Sequence, residues 1–439
     1  MSEMKDSGIE WIGDAPQNWQ LVRIKVCVSR RDSGAWGEEA TGEPGDCVCI
    51  RVADMDYDRI RLKDDLPFTY RNYEEKVIES LKLADGDILI EKSGGGEKTL
   101  VGRAVMFRGT LQAVFANFME RIRCRDFVRS RFLLYILAVL YQSGYIKNYI
   151  KQTTGIQNLD ISSMFSKEYL ALPPVVVQDR ITDFLDRKCS QIDAIIARQQ
   201  EVIEKLKAYK LSVITEAVIK GLNPNVSMKD SGVEWIGEVP EHWDFRRIKN
   251  CCLIVDCKNR TPDPDPDGEY IVVRTTCIRD GSFSYEGSYH TNAENFKEWT
   301  AKGQPQYGDI FFTREAPMGE ACLVPDADNL CMGQRVMFFR PLDGSDPRYI
   351  LYSIYGPLTR EYIDSKNKGS TVGHLKLGQV ASLPLFYCPP KEQSEIADYL
   401  DKRCGAIDKV VEKKAEIIAR LTDYKKSLIY EVVTGKKEV

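Results

Sequence analysis

Arginine, lysine, asparagine, glutamine and serine recur in loop-like stretches of both halves of the chain. In the first half the candidates are Arg30, Arg31, Lys92, Ser93, Lys98, Arg103, Asn117 and Arg121. In the second they are Lys258, Arg260, Arg274, Arg314, Gln334, Arg335, Lys366 and Lys368. A guanidinium can bond two acceptors of a guanine edge, an Asn or Gln amide can pair with adenine, and an ammonium grips phosphate. Such a set suits the reading of a base-paired duplex. The plain alternative for each residue is a solvated surface charge. The frame around the two sets repeats while the loops differ, which points to two readers of different half-sites.

Other chemistry finds little support. Asp263-x-Asp265-x-Asp267-Gly268 begins like a calcium loop, but its twelfth position is Arg274 where a bidentate Glu is needed, and prolines separate the acids. Ser93-Gly94-Gly95-Gly96 lacks the Gly-Lys-Ser/Thr that would follow in a phosphate cradle. The Pro-Pro pairs read Leu-Pro-Pro-Val and Cys-Pro-Pro-Lys, not the Asn/Asp-Pro-Pro-aromatic motif of an amino-methyltransferase. No spaced Asp…Glu-x-Lys set suggests a nuclease, and three histidines leave little room for His-based catalysis. Zinc is not expected, because no Cys-x-x-Cys occurs among the 13 cysteines, which read as reduced, partly buried apolar residues of a cytoplasmic protein. The chain itself reads as non-catalytic, with no cofactor or metal of its own.

The net charge of −4 argues against a simple basic DNA binder, so any phosphate grip must be local or shared with partner subunits. The longest apolar run, Phe132 to Tyr141, is too short to span a bilayer, and no signal peptide is visible.

The elements that must position the candidates come in two copies. KDSGIEWIGDAPQNWQLVRIK at 5–25 returns as KDSGVEWIGEVPEHWDFRRIK at 229–249. Each copy leads into short strands (Asp46 to Val52; Tyr270 to Thr275) and then a Gly-Asp-Ile stretch (Gly86 to Ile90; Gly308 to Phe312). A helix follows (Arg131 to Lys151; Arg348 to Lys366), then a polar segment (153–158; 369–373) and a strand ending in two prolines.

Each copy then enters a long helix, Gln178 to Ile219 or Gln393 to Thr434, displaced by 215 and about 63 Å long at 1.5 Å per residue. In the first helix one seam position holds Ile181, Ile195, Val202 and Tyr209, and the other Leu185, Ile192, Leu206 and Val213. In the second the matching sets are Ile396, Val410, Ile417, Tyr424 and Leu400, Ile407, Leu421, Leu428. Lys188, Arg403, Gln199 and Lys414 interrupt the pattern, and antiparallel pairing would bring Gln199 and Lys414 into one central layer. The expectation is an antiparallel intramolecular coiled coil; two amphipathic helices, each packed on its own domain, is the alternative.

The paired Ser-Gly-Ile/Val-Glu-Trp-Ile-Gly-x-x-Pro-x-x-Trp motif (Ser7 to Trp19; Ser231 to Trp243), the Pro389-Pro390-Lys391-Glu392-Gln393 entry to the second helix and the repeated helix ends resemble the specificity subunit of type I restriction-modification systems, the HsdS family. The first half departs from the pattern with Val177-Gln178 in place of Glu-Gln. The resemblance implies an α+β fold with a pseudo-two-fold internal repeat: target-recognition domains at 1–175 and 222–390, and spacer helices at 176–221 and 391–439. It further implies one half of a split asymmetric DNA target read by each domain, with the helices fixing the gap. Modification subunits using S-adenosylmethionine, and restriction subunits using ATP and Mg, would be the partners on double-stranded DNA. A pseudo-symmetric protein-binding scaffold that touches no DNA is the alternative function.

Overall fold

The computed structural model describes residues 3–42, 44–64, 67–96, 99–153, 155–367 and 373–439. Contacts divide the chain into two units: Met1–Gln200 with Ala415–Val439, and Glu201–Lys414. Both long helices, Val175–Lys220 and Pro390–Val433, therefore contribute to both units.

In the first unit the Gly-Asp-Ile stretch makes the central strand Ile88–Glu91, paired antiparallel with Met119–Cys124 on one side and Ala104–Met106 on the other. Alternation at period two feeds two cores. Ile88 and Ile90 face the core shared with the helices, while Leu89 faces a second core with Val105, Phe107 and Met119. The preceding Gly86, at φ 87°, turns the chain, and Asp87 is buried. Its carboxylate accepts from Ala84 N at 2.8 Å and from two nitrogens of Arg123, both at 2.8 Å, so the turn and the sheet are tied by one acid. Met119–Cys124 also pairs with Val28–Ser33. A neighbouring sheet joins Asp46–Ile50 to Ala113–Phe115 in parallel and to Tyr70–Asn72 antiparallel.

The second unit repeats this topology. Ile310–Thr313 lies between Val336–Pro341 and Ala321–Leu323, Cys252–Val255 flanks Val336–Pro341, and Tyr270–Val273 joins Leu330–Met332 in parallel. Asp309 repeats the tie: it accepts from Gln306 N at 2.9 Å and from Arg340 at 2.9 and 2.7 Å. The opening motif is a two-stranded ribbon in both copies, Met4–Asp6 with Asp14–Pro16 and Met228–Asp230 with Glu238–Pro240.

One expected helix is shorter than its sequence signal, and the other is divided. Ser130–Gln142 stops before Gly144, which takes the left-handed φ of 74°, and Ile150–Thr153 then pairs with Ile156–Leu159 as a hairpin. In the second unit the expected single helix is two, Pro347–Tyr355 and Pro357–Asn367, because Pro357 has no amide hydrogen to continue the ladder. The polar segment 369–373 lies largely outside the described residues.

Gln178 and Gln393, equivalent and fully buried, pin the helix entries. Gln178 accepts from Arg129 N and donates to Phe127 O and Pro173 O; Gln393 accepts from Asp346 N and donates to Cys388 O. The departure at Val177 has a visible consequence. Glu392, at the matching place, accepts from the Trp243 indole at 3.1 Å, a bond that a valine cannot make.

Within each unit the helix segments run antiparallel, as expected. Asp193 meets Lys425 at 2.6 Å in the first unit, and Lys210 meets Asp408 at 2.8 Å in the second. The two pairs are equivalent by the internal repeat, and their residue numbers add to the same total, so one antiparallel register serves both. Ile181, Leu185, Ile192, Val213, Ile396, Leu400, Ile407 and Leu428 are buried, and Leu206, Leu421, Gln199 and Lys414 are half-buried.

At the other seam position Ile181 and Ile396 are buried and Val202 is half-buried, but the remaining residues differ from the expectation. Ile195, Tyr209, Val410, Ile417 and Tyr424 are exposed, and Cys189, Ile196, Ile203 and Lys210, with Cys404, Val411, Ile418 and Lys425, take the seam one residue further on. Adjacent apolar pairs (Ile195-Ile196, Val202-Ile203, Val410-Val411, Ile417-Ile418) suit either flank and each flank carries one cation, but only Lys210 and Lys425 have an aspartate opposite. The helices also pack on their globular segments: Leu428, Ile429, Val432 and Val433 complete the first unit's core. Lys436 Nζ then donates to Ile12 O at 2.7 Å.

Replacing Lys425 by Met would leave Asp193, about one-fifth exposed, without its partner, and we expect a loss of about 1–3 kcal/mol in urea unfolding. Lys210→Met, facing the more exposed Asp408, should cost less than about 1 kcal/mol.

Candidate nucleic-acid interface

At one end of each central strand three segments converge in matching geometry. In the first unit the chain leaving Ile88–Glu91 meets the turn before Met119–Cys124: Lys92 N and Ser93 N both donate to Phe118 O. The hairpin 150–159 closes over it through Leu159 N to Lys92 O at 2.8 Å and Ser93 Oγ to Asn158 Oδ1 at 2.7 Å. In the second unit Arg314 N donates to Arg335 O at 3.0 Å and Leu375 N to Arg314 O at 3.0 Å, while Glu315 bridges to His374. The backbone equates Phe118 with Arg335, Ser93 with Glu315 and Asn158 with His374. An exposed tip on a rigid sheet is where a groove-reading side chain belongs.

The structure separates the candidate residues. Arg121 is 1% exposed, its guanidinium bonded to Asp32, Lys82 O and Ser80 O, so it is a structural ion inside the first unit. Its place in the second unit is taken by Phe338. Arg314 is also buried, paired with Asp256 at 3.1 Å, and its Nε has no hydrogen-bond partner among the described residues. Neither can meet a base edge from these positions. Burial opposes ionisation of Asp32, but hydrogen bonds from Arg121 and Arg30 prevail and hold its carboxyl below the usual range.

Arg30 bonds Asp32 and Ser80 O, Arg31 pairs with Glu120 above the Phe165 ring, and Arg103 pairs with Glu91 and lies 3.6 Å over Tyr57. Lys92 donates to Ser33 at 2.9 Å. Asn117, beside Phe118, is exposed. In the second unit Lys258 and Arg260 share Glu298 and both sit over Trp299, at 4.8 and 4.7 Å. Arg274 is exposed and reaches Gly287 O at 3.5 Å, Gln334 donates to Asn259 O, and Lys366 lies over Tyr362. Lys98 and Lys368 lie outside the described residues. Asn117, Gln334 and Arg335 thus share the turn-tip location, while most of the other cations are held by acids and rings.

Asn158, His374 and the ring platforms Tyr57 and Trp299 went unnoticed in the sequence. Their places depend on hairpin pairing and on contacts distant in the chain, for which no local pattern exists. Burial pushes the Cys331 and Cys388 thiols up to about 12, so these cysteines carry no thiolate at neutral pH. Among the described residues no helix is long and apolar enough to cross a membrane.

Residues 240–419 match the family described as type I restriction modification DNA specificity domain. The type I restriction enzyme EcoKI specificity subunit of Escherichia coli (strain K12) is 24% identical over 393 residues, covering 85% of this chain and 78% of that one. A Methanocaldococcus jannaschii chain, provisionally named as the MjaX specificity subunit, is 21% identical and covers 98% of this chain and 96% of its own length. The fold is shared, at a TM-score of 0.68 and 14% identity, with a chain from a structural study of complex assembly and conformational transition of the type I R-M system; the match covers 96% of this chain and 99% of that one.

Arg121→Met would take from Asp32 one of its two arginines and from Asp87 the more distant of its two, leaving Arg30 and Arg123 in place, and should destabilise the first unit by about 1–3 kcal/mol in urea unfolding. Asp32→Asn should cost stability at pH 7. Because the folded carboxyl titrates below its ordinary 3.8, that cost should shrink only as pH falls through 3.8 and lower, measured by thermal unfolding across pH.

Proposed function

We propose that this chain is a specificity subunit of a type I restriction-modification system and that each of its two units reads one half of a split, asymmetric DNA sequence. The observation that carries this is the repeated frame with unlike tips. The Asp87–Arg123 and Asp309–Arg340 ties hold equivalent strands, yet Phe118, Ser93 and Asn158 stand where Arg335, Glu315 and His374 stand in the other copy. A scaffold selected to bind the same thing twice would not need different tips. Two readers of different half-sites would.

The helices supply the spacing in this reading. The lysine–aspartate pairs fix their register, and helices uninterrupted from Val175 to Lys220 and from Pro390 to Val433 are stiff enough to hold a constant gap. Methylation of adenine N6 and ATP- and Mg-dependent cleavage are the work of modification and restriction subunits that join this chain on DNA in the cytoplasm. A chain of net charge −4 fits a shared grip, in which neighbours supply part of the phosphate contact.

The test is selection of bound duplexes from a random library with this subunit co-expressed with its methyltransferase. Two short fixed blocks around a constant unspecific gap are expected, with affinity falling steeply as salt rises. No enrichment by an intact, folded complex would favour a protein-binding scaffold instead.

A further inference from the structure

In the second unit one side chain is presented in an uncommon way. Arg335, at the tip before Val336–Pro341, has φ +77°, a region that side chains other than glycine seldom occupy and that persists only where neighbours impose it. Here those neighbours are Arg314, Gly333 and Glu315. The Arg335 carbonyl accepts from Arg314 N at 3.0 Å, and Val336 N closes the turn onto Gly333 O. The guanidinium is held through Nε by Glu315, whose other oxygen meets His374 Nδ1 at 2.8 Å. Glu315 is largely enclosed, at 17% exposure, whereas the Arg335 side chain is 47% exposed. No other partner meets that guanidinium among the described residues. Binding at Nε leaves the two terminal amino groups as the outward edge, the pair of donors that matches guanine O6 and N7 in the major groove.

We infer that Arg335 reads a guanine in the half-site bound by the second unit, with Glu315, itself steadied by His374, as the positioning residue that aims it. This rests on the reading of the two units as half-site readers and adds which side chain reads, which base it reads and what orients it. The first unit has no such device at the same place: Phe118, 50% exposed, projects from the equivalent turn, and Ser93 bonds Asn158 beneath it. An apolar ring has no donor to offer guanine, so the first half-site should not share this contact.

The experiment is duplex selection by the co-expressed methyltransferase complex, comparing wild type with Arg335→Ala, Arg335→Gly, Glu315→Ala, Glu315→Asp and Phe118→Ala. Wild type should enrich a split motif. Arg335→Ala should lose about 10- to 100-fold preference for guanine at one position of one block and leave the other block unchanged. Arg335→Gly relieves the backbone conformation and so separates folding from reading: it should keep the thermal midpoint of the complex and lose the same base preference. Glu315→Ala should broaden that same position, and Glu315→Asp should restore part of it. Phe118→Ala should alter only the other block. If Arg335→Ala weakens binding to all sequences alike, the side chain grips phosphate and the inference fails while the two-reader account stands. If it changes nothing, the inference fails outright. If wild type enriches no split motif, the underlying reading fails first.

Discussion

The antiparallel register set by Asp193–Lys425 and Lys210–Asp408 is the constraint on which the rest depends. A lysine in a helix seam is costly unless an acid lies opposite, and each lysine here has one in a single alignment of the helices only. Sliding either helix by one heptad would separate both pairs at once. The same alignment completes the cores, since the first unit buries Leu428, Ile429, Val432 and Val433 from the far end of the chain beside Leu185 and Ile192. That unit therefore cannot close until the last helix has been made. In the second unit Val213, Ile214 and Ala217 meet Leu400 and Cys404 in the equivalent way.

On that base the repeated sheet gives each unit a stiff platform. One buried aspartate per unit binds the turn before the central strand and an arginine across the sheet, so the strand end cannot shift relative to its neighbours. What lies beyond the strand end is free to differ. The first unit uses Lys92, Ser93 and Phe118 there, and the second uses Arg314, Glu315 and Arg335. A scaffold whose backbone hydrogen bonds are the same whichever side chains stand at the tip allows recognition to change without loss of the fold.

Much of the architecture was legible from residues alone. The motif at 5–25 and 229–249 announced the duplication, the double prolines marked the helix entries, and the leucine seam marked the pairing surface. The flank of that seam is not legible because paired apolar residues such as Ile195-Ile196 and Val202-Ile203 suit either side and each side carries one cation; which cation meets an acid depends on the partner helix. The helix expected over 131–151 ends early, since apolar content continues past Gly144 but the backbone turns there, and the one expected over 348–366 is divided at Pro357, which has no amide hydrogen to carry the ladder on. The candidate site was only partly readable. Composition identified the right kinds of side chain, but it could not tell Arg121 and Arg314, enclosed by acids, from Arg335, which stands at a tip. That difference is made by Asp32, in the strand Val28–Ser33, and Asp256, just after the strand Cys252–Val255, both distant in sequence from the arginines, and no local pattern records it.

The most direct measurement of the two-reader account is the gap selected after one heptad is inserted into each long helix, at matched points beside Ile203 and Val411 so that the lysine–aspartate pairs stay in step. Seven residues add about 10.5 Å of helix, about three base pairs of duplex at 3.4 Å each. The selected blocks should keep their sequences and move apart by about three base pairs. Blocks that keep the original gap, in a complex that is folded and binds, would contradict a spacing set by the helices.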